Sequence, residues 1–405
     1  MFRRGRFEHR QSALGGIGLL AAIWCGLAVR GVQSQEEAVV RNSQAVVNVS
    51  PAGTYAYVPN KWGIVRLSLT NPTAAPVEVL AASYFVDEPT LQYGRRVWIP
   101  PLSRLQTWHP ILLPANSSAG PQRFDFRTLV IDAARQREVL IRSDSGALQF
   151  DGMLRGLEGR LVAGLIDNPN RAGEVDSEAA NHLLLCAQNS TIPHGQTTYL
   201  TDRLLPAGEE CLQSLDQLVI ADNRIIDDDA GLTAIRRWLY GGGRLWVMLD
   251  RVGPHLLERL LGDESLCHVV DRVGLTTVRL ETRSPNGSIA KETHDHEHPV
   301  EFVRVLGSDF EVASTVDGWP AAFWKTCGEG RLLVTTLAAS GWMRERTTAD
   351  DGSNSRGGLP SSNQSNAVRA AAASPDPSAL DGAKWKSPFI PLRPMQEIAS
   401  EFFRA

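Results

Sequence analysis

No two of the five cysteines stand as a C-x-x-C pair, so a zinc knuckle or a thioredoxin-type redox site has nothing to build on. An excess of positive charge is missing too. The chain sets 41 Lys and Arg against 45 Asp and Glu for a formal net charge of −4, and no half of it is strongly basic. The electrostatic footprint of a nucleic-acid binder is therefore absent, and no nucleic-acid partner is expected. What is present is ordinary globular material. Hydrophobic residues make up 43% and charged residues 21% of 405 positions, enough to bury a core and to suggest two or three domains.

The N-terminus carries the first specific signal. "MFRRGRFEHR" holds four arginines, and "QSALGGIGLLAAIWCGLAV" (11–29) holds no charge. A basic cluster, an apolar stretch and small residues before a polar segment are the layout of a secretory signal. Val32 and Ser34 fit the small positions before a cleavage at Gln35. The uncharged run also comes near the length of a membrane span, so residues 1–34 read either as a signal peptide or as a retained transmembrane helix with its basic end inside. Trp24 before Cys25 argues against lipoprotein processing. The expected localisation is exported or membrane-anchored, with the bulk of the chain outside the cytoplasm and envelope or membrane proteins as partners. In an oxidising compartment Cys186, Cys211, Cys267 and Cys327 allow three full disulfide pairings, and buried thiols are the plain alternative.

Residues 36–150 read as all-β. "GIVRLSLTN" (63–71), "VEVLAASYF" (77–85), "LQTWHPILLP" (105–114) and "RFDFRTLVID" (123–132) are strand-like runs set every 10–15 residues between Pro, Asn, Gly and Ser clusters. That spacing predicts a β-sandwich. "LTNPTAAPVEV" resembles adjacent strands of immunoglobulin-like modules, which implies a binding module or a spacer. Trp62, Trp98 and Trp108 read as core or half-buried platform residues.

From about residue 156 the period changes. "RLVAGLID" (160–167), "LDQLVIAD" (215–222) and "RLWVMLD" (244–250) are continuous apolar runs, as expected of strands covered on both faces. "DDDAGLTAIRRWLYGGG" (227–243) is an amphipathic helix with acids at its start and glycines at its end. A strand ending in Asp222, a helix closing on three glycines, a buried strand and a turn together resemble the class I glutamine amidotransferase-like, flavodoxin-like fold over 156–343. The expected fold class is thus multidomain, an immunoglobulin-like β-sandwich followed by a flavodoxin-like α/β domain with a parallel sheet. The catalytic members carry Gly-x-Cys-x-Gly at that turn. Here the segment is Met248-Leu249-Asp250-Arg251-Val252-Gly253, with no Cys or Ser, so the resemblance implies a non-catalytic member that needs no cofactor.

Two candidate sites follow. Asp222 and Asp250 end neighbouring strands at the sheet edge where ligands bind in α/β proteins. With Arg251 they form a candidate ligand site, or an acid and base pair, or simply caps for the following turns. "ETHDHEHPVEF" (292–302) places His294, His296 and His298 at alternate positions, where an extended chain would turn three imidazoles to one side for Zn²⁺. The bland alternative is a solvated loop entering a strand at 299. Residues 344–385 are poor in large apolar residues and read as a disordered linker. Residues 386–405 read as a short helix with Met395, Ile398 and Phe402 on one face, which docks back, binds something else or leads into further chain. The functional expectation is a binding or scaffold protein of the cell envelope. A hydrolase using the sheet-edge carboxylates or a metal is the rival.

Overall fold

A computed structural model describes residues 46–115, 123–134, 137–138, 151–155, 162–167, 175–192, 195–205, 207–262, 266–283, 289–347, 350 and 387–404. The N-terminal segment read as a signal or anchor lies outside these residues, as does most of the expected linker. Among the described residues no helix is long and apolar enough to cross a membrane, so the structure gives no support to a transmembrane helix.

Eight strands come first: β1 (Val46–Ala52), β2 (Trp62–Asn71), β3 (Val77–Phe85), β4 (Glu88–Ile99), β5 (Ser103–Leu112), β6 (Arg123–Asp132), β7 (Arg137–Glu138) and β8 (Asp151–Arg155). They form one antiparallel sheet in the order β1-β2-β5 and another in the order β4-β3-β6-β7, with β8 also on β6. The sheets share a core. Leu67 and Leu69 of β2, Ile111 of β5, Val79 and Phe85 of β3, Ile99 of β4 and Phe126 of β6 are all buried in it. The Asn-Pro break after β2 is held from inside, because buried Asn71 donates through Nδ2 to Ala75 O at 2.8 Å and Pro100 O at 3.0 Å. Trp62 and Trp108 are half-buried, whereas Trp98 is 60% exposed and is no core residue.

The remaining elements are β9 (Val162–Ile166), α1 (Val175–Thr191), β10 (Gln196–Tyr199), β11 (Gln217–Ile220), α2 (Asp229–Tyr240), β12 (Arg244–Met248), α3 (Pro254–Leu261), β13 (His268–Arg283), β14 (Ile289–Leu306), β15 (Glu311–Val316), β16 (Trp319–Cys327), β17 (Gly330–Thr335), β18 (Met343–Glu345), β19 (Phe389–Pro391) and α4 (Arg393–Phe402). Nine of these strands make one sheet in the order β10-β9-β11-β12-β17-β16-β15-β13-β14. Its faces are read off alternate residues. Leu218 and Ile220 of β11 join Leu232, Ile235, Leu256 and Leu260 of α2 and α3 on one side. Val219, with Trp246 of β12, joins Leu183 of α1 and Met395, Ile398 and Phe402 of α4 on the other. Local signals set the connections. Asp228 caps α2 by accepting from Gly231 N at 3.0 Å. Gly262 closes α3 at φ 78°, and Asp317-Gly318, both at positive φ, make the two-residue turn between β15 and β16.

This architecture corrects the expected fold class. Pairing is parallel through β10, β9, β11, β12 and β17, and antiparallel through β16, β15, β13 and β14. The sheet is mixed and the chain is dominated by strands, so it is not the flavodoxin-like parallel α/β domain expected. The misreading has a physical source. β13 and β14 form a long hairpin whose positions from 289 to 297 alternate between exposed and half-buried, so polar residues occupy both faces and no apolar run announces a strand. The stretch read as a loop before 299 is strand throughout. The C-terminus adds two findings. The start of the expected linker is β18, paired with β19. The last helix docks on the sheet, with Met395 and Phe403 fully buried.

Candidate functional site

The C-terminal ends of four parallel strands each deliver an aspartate: Asp167 after β9, Asp202 after β10, Asp222 after β11 and Asp250 after β12. Each is held differently. Asp222 is buried and caps the short helix Asn223–Ile225, accepting from Arg224 N at 2.7 Å. Arg251 turns inward, its side chain 7% exposed, towards Asp167 Oδ1 at 3.4 Å and Ala221 O at 3.4 Å. Asp202 accepts from three groups of the sandwich half, namely Gly53 N, Tyr55 Oη–H and Arg66 Nη1, each at 2.9 Å. It is the clamp between the two halves, reinforced by Thr198 Oγ1 donating to Thr54 O at 2.6 Å and by the Thr54–Ser214 hydroxyl pair at 2.8 Å. Arg224 lies among these carboxylates and donates to Asp202 O at 2.7 Å, while its Nε and Nη2 are buried without a hydrogen-bond partner. Burial lowers its pKa against the pull of Asp222, Asp202 and Asp167.

Asp250 has neighbours of its own. The charges bearing on it are Arg251, Glu301 and Arg272. Arg272 of β13 ties down the turn around it, donating to Asp250 O at 3.0 Å, Leu249 O at 3.1 Å and Val252 O at 3.2 Å. Asp250 Oδ1 is buried and has no hydrogen-bond partner. Burial raises this carboxyl to about 7, further than its own backbone amide, Arg251 and Arg272 can lower it, and Glu301 adds to the rise. The two carboxylates singled out in sequence are thus a capping group and a half-buried acid with different neighbours. Asp167, Asp202, Arg224 and Arg272 were not singled out. An aspartate closing each apolar or threonine-rich strand, as in "RLVAGLID" and "TTYLTD", is the signal that finds the first two.

The histidines lie on β14. His294 and His296 are half-buried on one face, while His298 is exposed where a bulge sets residues 296–299 against Thr276 alone. His294 Nε2 lies 3.3 Å from Glu292 Oε2. Burial, helped by His294, lowers the His296 pKa. Among the described residues no group of three or more His, Cys, Asp or Glu is placed to hold a metal ion. The four cysteines are buried thiols. Burial pushes Cys186 and Cys211 up to about 12 and Cys267 up to about 11, far from the thiolate a nucleophile needs. A cleft of about 310 Å³ opens beside α1, lined by Cys186, Asn189, Arg346, Phe389 and Gln396 among others. None of the strand-end aspartates lines it.

No family model matches the chain, and no curated protein matches it. Solved structures similar to parts of it include a cytoplasmic protein from Salmonella typhimurium LT2, 13% identical over 46% of this chain and 79% of that one, with a TM-score of 0.30. A provisionally described thua-like protein from Parabacteroides merdae is 11% identical over 44% of this chain and 84% of that one, at 0.32. A domain provisionally described as from a cell surface protein of Methanosarcina acetivorans is 13% identical over 29% of this chain and 93% of that domain, at 0.21. Likenesses of this size carry no argument about activity.

Proposed function

We propose that the chain is an exported, non-catalytic binding or scaffold protein whose partners are envelope or membrane proteins. One observation carries the reading. The charged groups at the C-terminal ends of the parallel strands are engaged in holding the protein together. Asp222 caps a turn, Arg251 faces Asp167 below the surface, and Asp202 joins the sandwich to the mixed sheet. A reaction centre needs such groups turned towards a substrate with their hydrogen-bonding capacity in reserve. The basic cluster and uncharged stretch at residues 1–29 support export. Two measurements test the reading together. A reporter enzyme active only outside the cytoplasm, fused after Ala405 so that the docked C-terminal helix is kept, should be active, and an inactive fusion contradicts export. Turnover of ester, phosphoester and peptide substrates should stay at background in the wild type and in Asp250→Asn alike. Turnover present in the wild type and lost in that variant contradicts the non-catalytic part.

A second reading has one observation in its favour. Asp250, with a carboxyl near neutrality and an unpartnered oxygen, has the protonation behaviour of a general base or acid. The engagement of the neighbouring Glu301 by Arg272, and of Arg272 by the turn at 249–252, weighs against it.

A further inference from the structure

The outer edge of the nine-stranded sheet is β14. Its C-terminal part is covered: Val303 N donates to Thr336 O at 2.9 Å and Ala338 N donates to Glu301 O at 2.8 Å. Among the described residues, no strand lies beside residues 289–299 on that outer side. An open row of backbone donors and acceptors is a template for pairing with another strand. The side chains on this edge alternate in charge. Lys291, Thr293, Asp295 and Glu297 are exposed on one face, and Glu292, His294 and His296 are half-buried on the other. His296 Nε2 is buried and lacks a hydrogen-bond partner. Ile289 is 55% exposed although it is apolar.

We propose that two copies of this chain pair edge to edge through β14, antiparallel, across a twofold axis at His294. A twofold contact requires that residue i meet residue j while j meets i. With His294 on the axis, Lys291 meets Glu297 and Thr293 meets Asp295 on the exposed face. Glu292 meets His296 on the half-buried face, and His294 meets its own copy on the axis. Directly opposed residues of an antiparallel pair share a sheet face, and every one of the charged pairings obeys this. Glu292, which lies 3.3 Å from His294 Nε2 within its own chain, thus also faces an imidazole of the second copy. Moving the axis to Thr293 sets Ile289 against Glu297 and His296 against Ala290. Moving it to Asp295 takes Lys291 away from Glu297 and leaves it against Pro299. The stretch is self-complementary in the His294 register, where a charged edge of one sign would repel its own copy.

The test is sedimentation of the full chain across micromolar concentrations, with Lys291→Glu and the charge swap Lys291→Glu/Glu297→Lys. The wild type should show a concentration-dependent dimer. Lys291→Glu opposes two glutamates across the axis and should weaken the dimer by about tenfold or more. The swap should restore it, because each 291 again faces an opposite charge at 297. Lys291 also pairs with Glu281 of its own chain; both variants lose that exposed pair equally, so their circular dichroism melts should coincide with each other. A monomeric wild type, a dimer indifferent to Lys291→Glu, or a swap that fails to restore pairing with its melt unchanged would each overturn the proposal.

Discussion

Arg66 of β2 reaches out of the sandwich to Asp202, beyond the end of β10, at 2.9 Å. The contact joins residues 136 positions apart. Asp202 is 10% exposed at its side chain and also holds Gly53 N and Tyr55 Oη, so one carboxylate meets three donors from the other half. Replacing it by alanine leaves those donors without their acceptor in a mostly dry contact, a loss of roughly 2–4 kcal/mol. Scanning calorimetry of Asp202→Ala should show the unfolding of the sandwich separating from that of the mixed sheet, with the first transition lowered. A single unshifted transition would mean that the halves are held by other contacts.

The half-buried acid at Asp250 makes stability depend on pH. Its folded pKa, about 7, lies above the ordinary carboxyl value. The folded protein therefore keeps a proton that the unfolded chain gives up above pH ~4. This contribution is fully present below that pH and is lost as pH rises towards and through 7. Between pH 5 and pH 8 the wild type should lose roughly 2–3 kcal/mol more than Asp250→Asn, which has no proton to release. Urea unfolding of both proteins at the two pH values checks it. Parallel pH dependence in the two would place an ordinary carboxyl at 250.

Phe402 of α4 packs edge-on to Trp246 of β12, with ring centroids 5.7 Å apart and both side chains buried. Trp246 is fixed in turn by its Nε1–H donating to Thr335 Oγ1 at 2.9 Å. Phe402→Ala empties that position and should cost about 3–5 kcal/mol. Hydrogen exchange should show the loss of protection concentrated in α4 and the face of the sheet beneath it. An unchanged midpoint would show that the helix does not contribute to this core.

The sequence announced some of this fold and hid the rest for identifiable reasons. Strands β9, β11 and β12 are visible because burial on both faces demands uninterrupted apolar residues, as in "LVIA" and "LWVML". Within the antiparallel half, the polar part of the hairpin β13–β14 was hidden because it is open to water, and "KETHDHEH" is as polar as any loop. The amphipathic face of α4 was legible, but nothing local says that Trp246 and Trp342, distant in sequence, wait beneath it. Asp222 and Asp250 were found as strand-end carboxylates, yet their roles depend on contacts that period and spacing do not encode. The interdomain partners of Asp202 are the plainest case, since Gly53, Tyr55 and Arg66 belong to a different sheet.

The most direct test of whether the sheet edge is structural is the unfolding free energy of Arg251→Ala. The side chain is turned inward, with Asp167 13% exposed beside it. Its removal takes a cation from beside a nearly buried carboxylate and a donor from Ala221 O, and should lower stability by roughly 1–3 kcal/mol. A residue held ready for a ligand bears little of the folding free energy, so a stability equal to or above that of the wild type would contradict the account.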